Sequence, residues 1–168
     1  MQIRRYATLQ LTTVALALAI TGALAFAQSG HSAHRLVPAD KVQWSPAPPF
    51  LPPGAQISVL EGDPGQKGPV TLRLKFPANY NIPAHWHSMT EGVTVISGVF
   101  NVGMGDKLDR KTSQPLEAGG YVLLPAKMNH FAWTTTPTVV QIGLEGPFDI
   151  FYVNPADNPQ TKTPTARR

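Results

Sequence analysis

Cysteine is absent from the 168 residues of this chain, and charged residues make up only 14% of them. The absence excludes a disulfide framework, a thiol nucleophile and a lipid anchor attached through cysteine, so folding depends on the core alone. The formal net charge is only +4, and no cluster of Lys and Arg is interleaved with aromatic residues. We therefore expect no nucleic-acid partner.

The N-terminus, residues 1–27, has the form of a cleaved secretion signal. Two arginines precede an apolar stretch, residues 11–27, which ends in the small-x-small sequence Ala25-Phe26-Ala27. The stretch is interrupted by Thr and Gly and is short for a membrane span of roughly 20 residues. We expect cleavage before Gln28, no stable membrane anchor, and a periplasmic or secreted mature protein. An uncleaved N-terminal anchor is the alternative.

Helical periodicity is also missing, because no stretch after Ala27 holds an apolar helical repeat. Short apolar runs are separated instead by Gly, Pro, Asn and Asp, and residues 70–76 alternate apolar with polar, as a half-buried strand does. The runs cover residues 57–60, 70–76, 93–96, 99–104, 121–124, 130–134, 138–144 and 148–153. About eight short strands in regular succession predict an all-β sandwich or barrel.

The mature chain has the length of one domain. We expect the β domain to span residues 56–154. Before it, residues 28–55 are predicted to form a loose tail and an extended arm, since five prolines within residues 44–54 forbid helix there. After it, residues 155–168 are rich in Pro and Thr and are predicted to be a disordered tail.

Three of the five histidines fall in one pattern with a glutamate: His85, His87, Glu91 and His130. On a strand, residues i and i+2 point to the same face, so His85 and His87 can aim at one point. Glu91 and His130 each open an apolar run and can close in from neighbouring strands. Imidazole and carboxylate together suit Mn, Fe, Ni, Cu and Zn, so we predict a metal site. A metal-free barrel is the alternative, but it would have to pair four buried polar groups.

Around these residues the chain resembles the cupin superfamily, specifically its small single-domain (type 2) members. The first cupin motif, G-x5-H-x-H-x3-4-E-x6-G, is similar to the segment from Asn79 to Gly98, with Asn79 in place of the first glycine. The second motif, G-x5-P-x-G-x2-H-x3-N, is matched at Gly119, Pro125 and His130. Lys127 and Thr134 replace its second glycine and its asparagine. Asn tolerates a left-handed backbone better than other non-glycine residues, so the first departure is mild.

The resemblance implies a double-sheet jelly-roll β-barrel that holds one divalent transition metal ion per chain (Fe, Mn, Zn, Ni or Cu). It implies a small-molecule substrate or ligand, and we expect a metalloenzyme with dioxygenase-type oxidative cleavage, ahead of isomerase or lyase chemistry, in which Glu91 is catalytic. The alternative is a non-catalytic module that binds or senses a metal or small molecule. Lys127 and Tyr121 are candidate substrate-binding residues.

We also expect a homodimer. A jelly roll leaves sheet edges that invite pairing, and the strand from residue 56 follows a proline-rich arm that is suited to exchange between chains. Strand alternation turns Phe131 and Trp133 away from the predicted metal ligands, where they would supply apolar area for an interface.

Overall fold

The structure, a computed structural model, describes residues 34–161; the predicted secretion signal and the last seven residues lie outside the described residues. Within that range the chain forms eleven strands and three short 3-10 turns. The strands are β1 (Ser45–Pro46), β2 (Gln56–Glu61), β3 (Gly68–Phe76), β4 (Asn81–Trp86), β5 (Glu91–Ser97), β6 (Val99–Met104), β7 (Gln114–Glu117), β8 (Tyr121–Leu124), β9 (His130–Thr134), β10 (Thr138–Gly146) and β11 (Phe151–Tyr152). In the described residues, no helix is long and apolar enough to cross a membrane.

Two antiparallel sheets form the domain, which confirms the predicted all-β jelly roll. The first has the strand order β1-β2-β3-β10-β5-β8, and the second has the order β11-β4-β9-β6-β7. Neighbouring strands in both sheets are often distant in sequence, because each sheet takes strands from both halves of the chain. This interleaving brings the two cupin motifs together, since β4 and β9 pair in one sheet while β5 faces them from the other.

The core lies between the sheets and follows from strand alternation. In β3, Val70, Leu72, Leu74 and Phe76 are buried, whereas the residues between them are partly exposed. The alternation predicted for residues 70–76 is therefore present, and β10 repeats it directly alongside. Burial of these branched and aromatic side chains on one face of each sheet is the main source of stability, at roughly 25 cal/mol per Å² of apolar surface.

The proline-rich segment, predicted to be an extended arm, lies against the domain. Residues 45–46 pair with β2, a turn closes between Pro48 and Leu51, and Leu51 is buried in the core. The hydroxyl of Tyr152 donates to the carbonyl of Phe50 at 2.8 Å, which ties the same segment down from the C-terminal side. Proline excludes helix here but does not exclude a compact turn, so the predicted extended conformation is present at Ser45–Pro46 but not in the turn from Pro48 to Leu51.

Two further expectations change. The described part of the predicted disordered tail contains the 3-10 turns Pro155–Asp157 and Pro159–Thr161, the first of which is capped by the side chain of Asn154. Phe131 does lie opposite Gly103 and away from the histidines, but it is 0% exposed rather than free for an interface. Trp133 is partly covered as well, because Arg110 stacks on its ring.

Candidate metal site

The histidines reach one point from adjacent places in the second sheet. His85 on β4 and His130 on β9 are directly opposite each other in the strand register, and His87 follows immediately after β4. Glu91 opens β5 in the facing sheet, where it is paired with Leu124. The four predicted ligands therefore meet between the sheets, with three histidines on one side and the carboxylate on the other.

The three imidazoles form a compact cluster. One ligand atom from each of His85, His87 and His130 lies within 4.8 Å of the other two, and the ring centroids of His85 and His130 are 4.2 Å apart. All three side chains are buried, as is Glu91. A single ion at roughly 2.0–2.2 Å from three nitrogens requires this kind of convergence, since such nitrogens lie about 3–4 Å apart. Glu91 is outside the cluster of mutually close ligand atoms but lies beside His87.

Each imidazole is oriented by a backbone carbonyl. Nδ1 of His85 lies 2.7 Å from the carbonyl oxygen of Pro83, and Nδ1 of His130 lies 2.9 Å from that of Met128. Nδ1 of His87 bonds to the carbonyl oxygen of Asp149. Because a carbonyl can only accept, all three Nδ1 atoms carry the proton and donate it. The metal-binding lone pair is therefore on Nε2, the arrangement typical of metal-ligating histidines.

Electrostatics separates His87 from the other two histidines. Burial, followed by the neighbouring imidazoles, holds the pKa of His85 well below its usual value, and burial likewise lowers the pKa of His130. Burial would also lower the pKa of His87, but the hydrogen bond and negative charge of Glu91, together with the backbone hydrogen bond and charge of Asp149, outweigh it and raise that pKa. Two histidines are thus kept neutral, as metal ligands must be, whereas the pKa of the third is raised by the carboxylate beside its Nε2.

The cavity at this cluster is small and otherwise apolar. Its volume is about 30 Å³, which is room for one or two water molecules. Apart from the four polar residues, its walls are aliphatic and aromatic: Leu51, Leu74, Phe76, Ile82, Val93, Phe100, Leu124, Ala132, Val140, Ile142, Phe148 and Ile150. Charges in such surroundings interact more strongly than in water, because the local dielectric constant is low.

The two predicted substrate-binding residues do not line this cavity. Lys127 lies in the loop before β9, with its side chain exposed, although its backbone N–H donates to the carbonyl of His87 at 2.8 Å. Tyr121 is 57% exposed and lines a separate cavity beyond β6. Both Asn79 and Lys127, which stand where the cupin motifs have glycine, have a left-handed backbone, with φ of 59° and 63°.

Sequence reasoning missed the partners that hold His87 in place. The carboxylate of Asp149 accepts from the backbone N–H of Ser88 at 2.9 Å and also from the Ser88 hydroxyl. The backbone carbonyl of Asp149 accepts from Nδ1 of His87 and so orients that ring. Phe148 stacks on the His87 ring at a centroid distance of 5.8 Å. These contacts join positions about sixty residues apart, and no local sequence signal marks them.

Comparison with known proteins agrees with the motifs and the fold. A sequence model of the ChrR cupin-like domain matches residues 32–149, which is most of the chain. The chain belongs to the ChrR cupin-like domain family. This match confirms the predicted membership of the cupin superfamily. A search of the curated proteins found no match to the chain.

Several solved structures share the fold at low sequence identity. The polyketide cyclase RemF from Streptomyces resistomycificus is 15% identical, with a TM-score of 0.59 over 78% of this chain and 94% of its own. A proposed acetylacetone dioxygenase from Methylibium petroleiphilum is 21% identical, with a TM-score of 0.57 over 75% of this chain and 85% of its own. KdgF from a Halomonas species is 19% identical, with a TM-score of 0.52 over 68% and 94%. At these identities the similarity establishes the jelly roll alone.

Proposed function

We propose that this protein binds one divalent transition metal ion per chain through Nε2 of His85, His87 and His130, with Glu91 as a fourth ligand. The observation that carries the proposal is the set of three Nδ1–carbonyl hydrogen bonds, which direct three Nε2 lone pairs into one buried cavity. A purely structural cluster has no need to fix the same tautomer three times. Elemental analysis of the purified protein, followed by titration with single metals, tests the proposal.

The donor set fits a transition metal. Three imidazole nitrogens and one carboxylate suit Fe, Mn, Zn, Ni and Cu, and they leave coordination positions for a substrate or water. A bound ion would supply Lewis acidity and, for iron or manganese, redox chemistry with dioxygen. Glu91 is acceptor-only when ionised, so it can take a proton from a substrate, and Nε2 of His87 lies 3.4 Å from its Oε2. The apolar walls keep bulk water away from that exchange.

The reaction we propose is oxidation of a small oxygen-rich or carbonyl compound with dioxygen, of the dioxygenase type. The name given to one fold relative, acetylacetone dioxygenase, makes β-diketones the first compounds to test, although that relative shares only the fold. Oxygen uptake would be measured with diketones, phenols and sugar acids on protein loaded separately with iron, manganese and zinc. Uptake that requires both a redox metal and one compound class would support oxidation. Turnover that persists with zinc would favour isomerase or lyase chemistry.

A second candidate is a non-catalytic module that captures or senses a metal or small ligand. The cavity of about 30 Å³ favours it, because a substrate larger than a few atoms cannot enter without movement of the walls. Saturable ligand binding with no turnover of any compound class, at full metal occupancy, would favour this role over catalysis.

Export and self-association belong to the same proposal. The apolar N-terminal stretch ending at Ala27 supports secretion, and mass spectrometry of the mature protein tests for a start at Gln28. The edge strands β1 and β8 support a homodimer. Light scattering of the full mature chain is the appropriate test, because deletion of residues 44–54 would also remove Leu51 from the core.

A further inference from the structure

A second cavity of about 300 Å³ opens at the side of the jelly roll, between β8 of one sheet and β6 and β7 of the other. Its aliphatic walls come from Val102, Met104, Leu116 and Val122. Leu116 and Val122 also pack against the hydrophobic core, so this cavity reaches the space between the sheets. It is about ten times larger than the cavity at the histidines.

Strand register places the two cavities side by side. Four wall residues of the larger cavity are cross-strand partners of four residues that line the histidine cavity. The pairs are Val102 with Ala132, Leu116 with Phe100, Val122 with Val93, and Met104 with His130. Directly opposite residues project to the same face of a sheet, and neighbouring strands are about 4.8 Å apart. At each of these four pairs, the residue that lines one cavity is therefore one strand away from the residue that lines the other.

Met104 holds the decisive position in that wall. It lines the larger cavity, ends β6, and lies directly opposite the predicted metal ligand His130. Its side chain is 46% exposed, so it is less confined than the other aliphatic wall residues. Methionine is unbranched and has three rotatable bonds, so it adjusts its shape more readily than Val or Leu.

The lining also defines the kind of molecule that fits. Four aliphatic side chains form the inner wall, and the polar groups among the remaining lining residues belong to Thr112, Gln114 and Tyr121. A volume of about 300 Å³ is at the lower end of the range for small-molecule sites. This composition suits a compact molecule with an apolar body and a hydrogen-bonding group at one end.

We propose that the side cavity is the binding site for a small, largely apolar organic molecule with one hydrogen-bonding end, and that Met104 controls its access to the histidine site. The inference rests on the proposed metal site, because it identifies the class of molecule that reaches that site. It addresses the mismatch of size, since the molecule is held in the larger cavity, where the wall residue Met104 lies directly opposite His130. Tyr121, which the sequence predicts to bind substrate, is one of the residues that line this side cavity.

The test uses phenol as the probe and the methionine methyl groups as reporters. The full mature chain, labelled with ¹³C at the methionine methyls and supplied with zinc, is titrated with phenol by NMR. We expect the Met104 methyl resonance to shift saturably and the Met128 resonance to stay unchanged. Met104→Trp should weaken phenol binding at least about tenfold, as measured by ligand-observed NMR. Gln114→Trp is a second blocking variant at an exposed position of the same wall.

Leu123→Trp is the matched control, since Leu123 neighbours Val122 on β8 but is exposed and does not line the cavity. It should leave phenol affinity within about twofold of wild type. No saturable shift at Met104, or equal loss of affinity in the blocking and control variants, would overturn the inference.

Zinc measured on the same samples keeps the two proposals apart. Zinc without phenol binding refutes only the side cavity, and phenol binding without zinc refutes only the metal site.

Discussion

Oε2 of Glu91 lies 3.4 Å from Nε2 of His87, and this contact joins the two sheets across the buried site. It places the carboxylate of Glu91 beside His87, whose pKa is raised, while burial lowers the pKa of His85 and His130. Proton and metal therefore compete for the same atom, Nε2 of His87, and Glu91 sets the strength of that competition.

Replacement of Glu91 by glutamine should lower the pKa of His87 in the metal-free protein. Glu91 raises that pKa through a hydrogen bond and its charge, so removal of the charge leaves burial, which lowers the pKa, opposed only by the smaller contributions of Asp149. An NMR pH titration of the imidazoles measures it. Glu145→Gln removes an equal charge from an exposed position on β10 and is the control. An unchanged pKa of His87 in Glu91→Gln would contradict the assigned contact.

The same Glu91→Gln variant should keep part of its metal, because three imidazoles remain. We expect the affinity to fall by at least about 10–100-fold, which is the cost of losing even a group that only supports a metal ligand. Any turnover should be lost, since glutamine cannot accept the proton. Chelator competition and an activity assay at full metal occupancy separate the two effects. A fully active variant would remove the catalytic role of Glu91.

Asp149→Ala should weaken metal binding without altering a ligand. Its carboxylate holds Ser88 by two hydrogen bonds, and its carbonyl fixes the His87 ring, so loss of the carboxylate loosens both. We expect an affinity loss of about tenfold. Asp63→Ala removes a surface carboxylate that accepts from the backbone N–H of Gly65, and it should leave metal affinity at the wild-type value. Equal affinities in the two variants would show that the Asp149 contact does not position His87.

Gly103→Ala should destabilise the fold. An added Cβ would lie 2.2 Å from Cζ of Phe131, whose ring is fully buried and has no free direction in which to move. Such overpacking costs about 1–3 kcal/mol of unfolding free energy. Gly143→Ala on β10 is the control, since an added Cβ meets nothing within 4 Å there. Urea denaturation measures both, and similar stabilities for the two variants would be inconsistent with the packing of Phe131.

Lys127→Gly should be neutral or stabilising by up to about 1 kcal/mol. The left-handed φ of 63° is unfavourable for lysine and natural for glycine, although glycine loses more conformational entropy on folding. Lys127→Val should instead destabilise, because a branched Cβ is least tolerated at positive φ. Thermal unfolding of both variants provides the comparison. A substantial loss of stability in Lys127→Gly would mean that the lysine side chain makes a stabilising contact.

The motif spacing predicted most of the site because strand geometry is local. The fixed alternation of a strand places His85 and His130 in the interior once the two strands pair. The left-handed backbone of Asn79 was also predictable, because Asn79 occupies a position where the cupin motif has glycine. The alternation of residues 70–76 likewise predicted β3, because one face of that strand is buried. These features depend on residues close in sequence.

The features that sequence did not reveal depend on proline and on long-range packing. Pro83 lies within β4, beside a register shift, and Pro115 lies within the edge strand β7. Proline is tolerated at such irregular or edge positions but weakens the local strand signal. The burial of Phe131 depends on Gly103, which lies on another strand nearly thirty residues away. No alternation pattern contains that information.

Metal content of the histidine variants is the most direct test of the account. Wild type, His85→Ala, His87→Ala and His130→Ala would be loaded with the same metal, dialysed and analysed for metal per folded chain, with folding checked by circular dichroism. The account predicts about one ion per chain in wild type and loss of most of it in each folded variant, since three converging nitrogens hold the ion. Wild-type metal content in all three folded variants would contradict the site.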